Sequence, residues 1–584
     1  MKKKRLLALL VAVVMVFASL ALAACANETP ADPEPAPQEE PAEPDEEPAE
    51  EPDEEPDEDI GVGDEVMPEE PPEAEEDAAG GTLLFATTGV DGRFTPITAS
   101  NVYDAYVNSL VFDSLISNDE QGIPSPWLAT HWETDEDRLV YTFFIDERAT
   151  FSDGAPVTAH DVEFTYNAIL HEDYDGPRSY VWGNLESVEA IDDHTVAFTF
   201  IEAGPVNIWT AGYGIVPMHL YDFDVWDDFL DMEMSPVGSG RFLFDEYRPM
   251  EFVRLIANPN HWHPDRIPQV DEILMLDIED EMLLDAFALG EIHFAQPSTT
   301  IDNYNAFMAQ DGLTLEIVTV LGYQYMQFNT LRPTLEDHRV RQALMYALDR
   351  EAFIDIILGP MGSLNPAGLA AASWAYPHDV EFNYYSFDLD RAAELMEEAG
   401  WEMGADGVRV NADGVRMELV WPVYTEVPWP GVLSELAYDS WGQLGVDLTI
   451  ELMDFGTVQA LTSVPPPGEK DFCVYVMGFS LAIDPSPHGG IFDYTRAFGE
   501  GGFNASGFYH ARAEELITLG MTEFDMDVRR EIYAEWAQIM NYYVPTVIIA
   551  NRGEMWAIAD GVHGVFVNTF QNWTTNAHNI TVPR

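Results

Sequence analysis

The chain has 584 residues, 47% of them hydrophobic, with 104 Asp and Glu against 26 Lys and Arg. That length exceeds what one small core supports, so two or more lobes are expected, and the composition excludes a multi-span membrane protein. The net charge of −78 repels nucleic-acid phosphates and anionic lipid surfaces, which excludes both as general partners.

Met1 to Arg5 carries four positive charges, Leu6 to Leu22 is an apolar run, and Ala23, Ala24 and Cys25 follow, the order of an export signal. Leu22-Ala23-Ala24-Cys25 resembles the lipobox of bacterial lipoproteins, which implies cleavage before Cys25 and acylation of its sulfur. Two or more acyl chains hold a protein on a membrane where one does not. Residues 26–79 contain 25 acidic residues and 12 prolines, with no Lys, Arg, His or aromatic residue. Such a stretch cannot bury enough apolar surface to offset chain entropy and reads as a disordered tether, reaching on the order of 150 Å at about 3.1 Å per residue. Cys473 is the only other cysteine, so no disulfide framework and no cysteine-based zinc site is expected.

Setting aside the four leader cations and the 25 tether carboxylates leaves about −57 on residues 80–584. A carboxylate shell of this density fits a salt-screened habitat or a cationic ligand, and composition does not separate the two. Along this body, Tyr141, Phe143 and Ile145 alternate with polar or outward positions, and Val196, Phe198 and Phe200 repeat the two-residue period before a Gly204-Pro205 break, predicting strands. Thr158 is positioned to cap a helix over 161–170. Val340, Leu344, Ala347 and Leu348 lie on one helical face. Asp388 can cap a helix carrying Ala392, Leu395, Met396 and Ala399 that ends at Gly400. Val528, Ile532, Trp536, Ile539 and Met540 share the apolar face of a third helix, and Pro545 opens a strand-like Thr546–Ile549 run. Helices and strands intermix without a short repeat, the pattern of α/β or mixed α+β lobes.

Several ordered blocks carry a resemblance. They are Pro124 to Trp132, Phe151-Ser152-Asp153-Gly154 through Val162, Pro236-Val237-Gly238-Ser239-Gly240-Arg241-Phe242, Asn258-Pro259-Asn260-His261-Trp262, Phe328-Asn329-Thr330, Arg339 to Leu344, Glu398-Ala399-Gly400-Trp401, Asp484-Pro485 and Asn504 to Tyr509. Together they resemble the family 5 extracellular solute-binding proteins, the peptide and nickel type receptors of ABC importers, over essentially residues 80–565. The resemblance implies a two-lobed, class II periplasmic-binding-protein-like fold that closes on its ligand by a hinge, with an extra inserted subdomain. It implies lobe I at 80–120, 235–325 and 545–584, the inserted subdomain at 121–234, and lobe II at 326–544. The chain crossings are expected near Leu321–Phe328 and Tyr543–Arg552. A monomer with no cofactor, delivering its solute to an ABC permease and ATPase complex, is the implied working form.

Peptide-binding relatives commonly hold the ligand's amino terminus with an Asp a few residues before the Asp-Pro block. Here Gly478 to Ile483 is apolar or small where that acid is expected, leaving Asp484 as a ligand candidate or a turn residue before Pro485. Aromatic residues in loops are the second clue, because planar rings cover sugars, apolar side chains or cations at little entropic cost. Trp374, Trp421, Tyr424 and Trp429 are candidates. Tyr103, Tyr323, Tyr325, Phe479 and Asn504 complete the expected ligand contacts. His261 and His263 lack a third metal ligand and read as surface histidines. No nucleophile elbow, His-Glu-x-x-His helix or phosphate loop occurs, so no enzyme is expected. Peptides are the first ligand expectation, with oligosaccharides and nickel or its chelates as alternatives. An extracellular hydrolase and a non-transport sensor stay open as readings from other classes.

Overall fold

The computed structural model describes residues 80–583 apart from 172–173, 175–182, 222–233, 464–470, 486–490 and 495–503. The leader, Cys25, the acidic stretch and Lys470 lie outside the described residues. Thr82–Thr87 is parallel to Glu272–Asp277 on one side and Phe294–Ala295 on the other. Antiparallel strands Phe252–Ala257 and Phe242–Arg248 extend one edge of this sheet. Phe294–Ala295 joins it to Thr546–Ala559, which pairs with Leu313–Phe328 and, through that strand, with Val474–Ser480. With the short strand Gly362–Ser363, which pairs with Thr546–Ala559, nine strands form one continuous sheet. The two long central strands lose register between Thr319 and Tyr323 and again between Gln324 and Tyr325. Along Leu313–Phe328 the burial changes from intermittent to continuous at Gly322, where the strand enters a region covered on both faces.

Two main cores flank that central pair. The first gathers Leu83 and Phe85, the helix Val102–Val111, the 128–216 region, and the C-terminal Trp556, Trp573 and Ile580. Trp573 is fully buried, with ring centroids 4.9 Å from Phe85, 5.0 Å from Phe294 and 5.7 Å from Tyr106. The second gathers Phe328, Val340, Leu344, Leu395, Trp421, Trp441 and Ile549. A two-lobed, mixed α/β body results. Within the first lobe, the strands 129–134, 140–145, 195–200 and 185–192 make a separate antiparallel sheet, with Tyr141, Phe143 and Ile145 buried as their alternation predicts. In the second, Glu418–Tyr424 is parallel to Asp447–Met453, connected through the helix Trp429–Leu444, the crossover that parallel pairing requires.

Local chemistry sets the element ends. The Thr158 backbone N–H and hydroxyl both donate to the Asp161 carboxylate, at 2.8 and 2.7 Å, opening the helix Ala159–Ile169. Asp388 accepts from Arg391 N and opens Leu389–Glu398. The Gly238-Ser239-Gly240 block packs its backbone on the preceding helix end, where a Cβ at Gly238 would lie 2.0 Å from the Val111 carbonyl oxygen. The helix Met526–Tyr543 departs from the expected face: Arg529, Tyr533, Trp536, Ala537 and Met540 are buried, whereas Val528 is 42% exposed. The physical reason is Arg529, which turns inward to an ion pair with Asp484 at 2.9 Å and rotates the buried stripe. His261 also departs from expectation. It is buried rather than on the surface, because its turn folds over Asp113, whose carboxylate lies 3.5 Å from its ring.

Candidate ligand-binding cleft

Asn101 caps the helix Val102–Val111 by accepting from Asp104 N, and the Asp104 carboxylate accepts from the backbone N–H groups of Asp91, Gly92 and Arg93. This pins the helix start and fixes Tyr103 and Tyr106, one turn apart, on one side of a cleft. On the same wall, Asp280 accepts from Ser298 N and from Asn303 Nδ2, which holds the segment 296–302 in place. The opposite wall comes from the second lobe: Ile356 to Leu358 at a helix end, and Val427, Pro428 and Trp429 at a helix start. Gln324 from one long central strand, with Arg552 and Glu554 from the other, completes the lining. The cleft encloses about 850 Å³, within the size range of small-ligand sites. A groove of similar volume, about 900 Å³, on the separate antiparallel sheet is walled only by that subdomain, among them Asp146, Glu147, Asp192 and Asp193. The cleft is the better candidate because both lobes and both central strands contribute to it.

The cleft is mostly apolar, with Asp302, Arg552 and Glu554 as its charged groups. Glu554 accepts from Gln296 Nε2 at 2.7 Å. Burial pushes its pKa above the usual carboxylate range, against the opposing pull of Arg552 and of that hydrogen bond. Burial, and then the Glu554 charge, pushes the Tyr106 phenol up as well. The intense acidity of the body is therefore not concentrated here. Among the described residues no group of three or more His, Cys, Asp or Glu side chains is arranged to hold a metal ion.

Of the residues singled out in the sequence, Tyr103 and Trp429 line the cleft. Tyr424 stands behind Trp429, its ring edge-on at 6.0 Å, and is itself buried. Trp421 is fully buried in the second lobe's core, 5.8 Å from Trp441. Tyr323, Tyr325, Trp374 and Phe479 gather in a third cluster within that lobe; Tyr325 Oη lies 3.2 Å from Tyr475 Oη, and Tyr323 stacks on Phe479 at 6.5 Å. Trp374 is covered by the guanidinium groups of Arg529 and Arg530, at 5.2 and 5.4 Å. The Asp484 carboxylate is taken by Arg529. Asn504 is buried, donating to Phe492 O and accepting from Ser506 Oγ. The sequence reading did not single out Tyr106, Gln324, Arg552 and Glu554. For the last two a signal existed: a cation and an acid two residues apart share a face of the strand that follows Pro545.

Residues 124–496 match the family described as bacterial extracellular solute-binding proteins, family 5 Middle. The chain is 26% identical over 470 residues to the oligopeptide-binding protein AppA of Bacillus subtilis (strain 168), covering 79% of this chain and 83% of AppA. Among solved structures it is similar to HbpA2 from Haemophilus parasuis, with a TM-score of 0.76 at 22% identity over 86% of this chain and all of the other. It is likewise similar to NikZ from Campylobacter jejuni, solved with Ni(L-His), with a TM-score of 0.66 at 21% identity over 86% of this chain and 99% of NikZ. A match over more than half of the chain identifies it as a member of the family 5 bacterial extracellular solute-binding proteins.

Proposed function

We propose that this extracytoplasmic solute-binding protein captures short peptides and passes them to the permease of an ABC importer. The observation that carries the reading is the cleft of about 850 Å³ with one wall from each lobe and both central strands contributing to its lining. A ligand bridging the two walls makes contacts present only when they approach, which is the differential affinity that closure requires. The lining favours a peptide: apolar walls suit side chains, and the side chains of Gln324, Arg552 and Glu554 suit amide and terminal groups. Relatives named for oligopeptide and di/tripeptide binding support this class. The protein binds its solute and does not transform it.

We infer further that Cys25 carries a lipid anchor, that residues 26–79 space the body from the membrane, and that the working form is a monomer. Replacing Cys25 with Ala should release the protein from the membrane fraction, and retention would remove the anchor. A thermal-shift panel of short peptides, oligosaccharides and Ni(II)-histidine tests the ligand class. At a hundred-fold excess over Kd, a binder adds about 2.7 kcal/mol of stability. Peptides should raise the melting temperature and the other two classes should not. A shift with oligosaccharides alone would replace the peptide reading.

A further inference from the structure

In the body of this protein cations are scarce, and nearly all of those among the described residues are engaged. Residues 80–584 hold 79 carboxylates against 22 Lys and Arg. Arg148, Arg248, Arg254, Arg332, Arg339, Arg391, Arg416, Arg512, Arg529 and Arg530 are ion-paired. Arg241, Arg341, Arg350 and Arg409 donate to backbone carbonyls, and Arg138 and Arg266 lie over aromatic rings. Among the described residues that leaves Arg93, which does not line the cleft, and Arg552, which does. Arg552 is exposed, its backbone pairs opposite Gly362, and its side chain makes no hydrogen bond, ion pair or ring contact among the described residues. Glu554 shares its strand face and its charged form is favoured by the field of Arg552, but its carboxylate accepts from Gln296 and makes no ion pair with Arg552.

Two further features describe what is missing. Gln324, 7% exposed, lines the same cleft with a side-chain oxygen that has no partner, and a buried acceptor without a donor is costly until one is supplied. Val102, Ile356 and Val427, on facing lobes, are 50%, 50% and 40% exposed, apolar surface at the cleft that a ligand or closure would cover. The complement of these three features has a carboxylate, an N–H donor and apolar side chains.

We propose that Arg552 is the carboxylate receptor of the cleft and that its ligands are peptides with apolar side chains and a free C-terminal carboxylate, an amide N–H meeting the Gln324 oxygen. This rests on the peptide reading above and deepens it: the cleft reads the carboxyl end of the ligand. A guanidinium binds carboxylate through paired, charge-assisted hydrogen bonds, so losing either partner should cost about 10- to 100-fold in affinity. A neutral oligosaccharide would offer Arg552 hydroxyl acceptors but no opposite charge.

The experiment is isothermal titration of the full chain with Leu-Leu-Leu, its C-terminal amide and its N-acetyl form. The free acid and the N-acetyl form should bind alike, with the amide at least about ten-fold weaker. Arg552→Gln should bring the free acid down to about the level of the amide and weaken the amide far less than the acid. Its melting temperature should match the parent's, since the Arg552 side chain bonds to no other described group. Equal binding of acid and amide by the parent chain would overturn the carboxylate assignment and leave peptide binding standing. Binding of none of the three overturns this inference, and if a mixed peptide pool also gives no thermal shift, the peptide reading falls with it.

Discussion

The two lobes differ in what their buried guanidinium groups face: Arg241 in the first lies near a buried carboxylate, whereas most of those in the second meet backbone alone. The first lobe buries an anion: Asp113 is fully enclosed, accepts from Trp127 Nε1 at 2.8 Å and Trp262 Nε1 at 2.9 Å, and faces His261 and Arg241. Burial alone would raise its pKa, but His261, Arg241 and Trp262 outweigh it and hold the carboxyl at about 2. The second lobe pairs buried Arg529 with Asp484 but buries three further cations without an anion in contact. Arg341 donates to the carbonyls of Leu335, Glu336, Tyr543 and Val544. Arg350 reaches Ile548 O and Tyr384 O, and Arg409 reaches Leu444 O and Trp401 O. In a chain crowded with carboxylates, these three guanidinium groups are thus used as multi-donor clasps on backbone that helices and strands leave unpaired. Val544 makes the need plain: it ends a helix in the left-handed region at φ 52°, a conformation a β-branched residue rarely adopts, and Arg341 grips the carbonyls of that turn.

The sharpest break of this contrast is Arg341→Ala, which leaves four carbonyls without their donor and should cost at least about 4 kcal/mol in urea unfolding or prevent folding. Arg341→Lys should rescue only part, since an ammonium cannot reach all four. If Lys restores full stability, charge rather than the fork is what the second lobe uses. Next is Asp113→Asn, expected to destabilise by roughly 3 kcal/mol at neutral pH because Arg241 loses its buried counter-charge. The folded pKa of Asp113 is depressed, so its contribution is present above the ordinary carboxylate value and lost as pH falls from about 4 toward 2. Hydrogen exchange across that window should therefore open the first lobe before the second. Arg409→Met should cost about 2 kcal/mol through its two orphaned carbonyls, with a deficit that does not change between pH 4 and pH 8. The smallest effect belongs to Glu554→Gln in the cleft. Its folded pKa is raised, so the native state holds the proton longer and stability falls as pH rises past the ordinary carboxylate range. The Gln variant should melt slightly higher at pH 7 and flatten that slope.

Much of the fold was legible because it follows from local chemistry. Alternation at 141–145 and the Thr158 and Asp388 caps sit where short-range rules put them. The cleft was less legible because burial of an aromatic ring depends on what arrives from elsewhere in the chain. Trp421 and Trp429 are eight residues apart, yet one sits inside a parallel strand pair covered by the helix Trp429–Leu444 and the other begins that helix at the cleft. Nothing in their local sequence separates the two. Arg552 and Glu554 lie on a strand whose flanking residues are buried, so their side chains look structural until the 102–106 and 296–302 segments are brought over them.

The C-terminal position of Trp573 has a consequence for the integrity of the first lobe. Its indole fills the middle of a core whose other members include Phe85 near the start of the described chain. The chain from Phe85 through Trp573 must be in place before that slot is filled, so the first lobe's core is sealed by residues nearly five hundred positions apart. Trp573→Ala should therefore open that core, read as a loss of at least about 3 kcal/mol in urea unfolding, and an unchanged midpoint would remove this role.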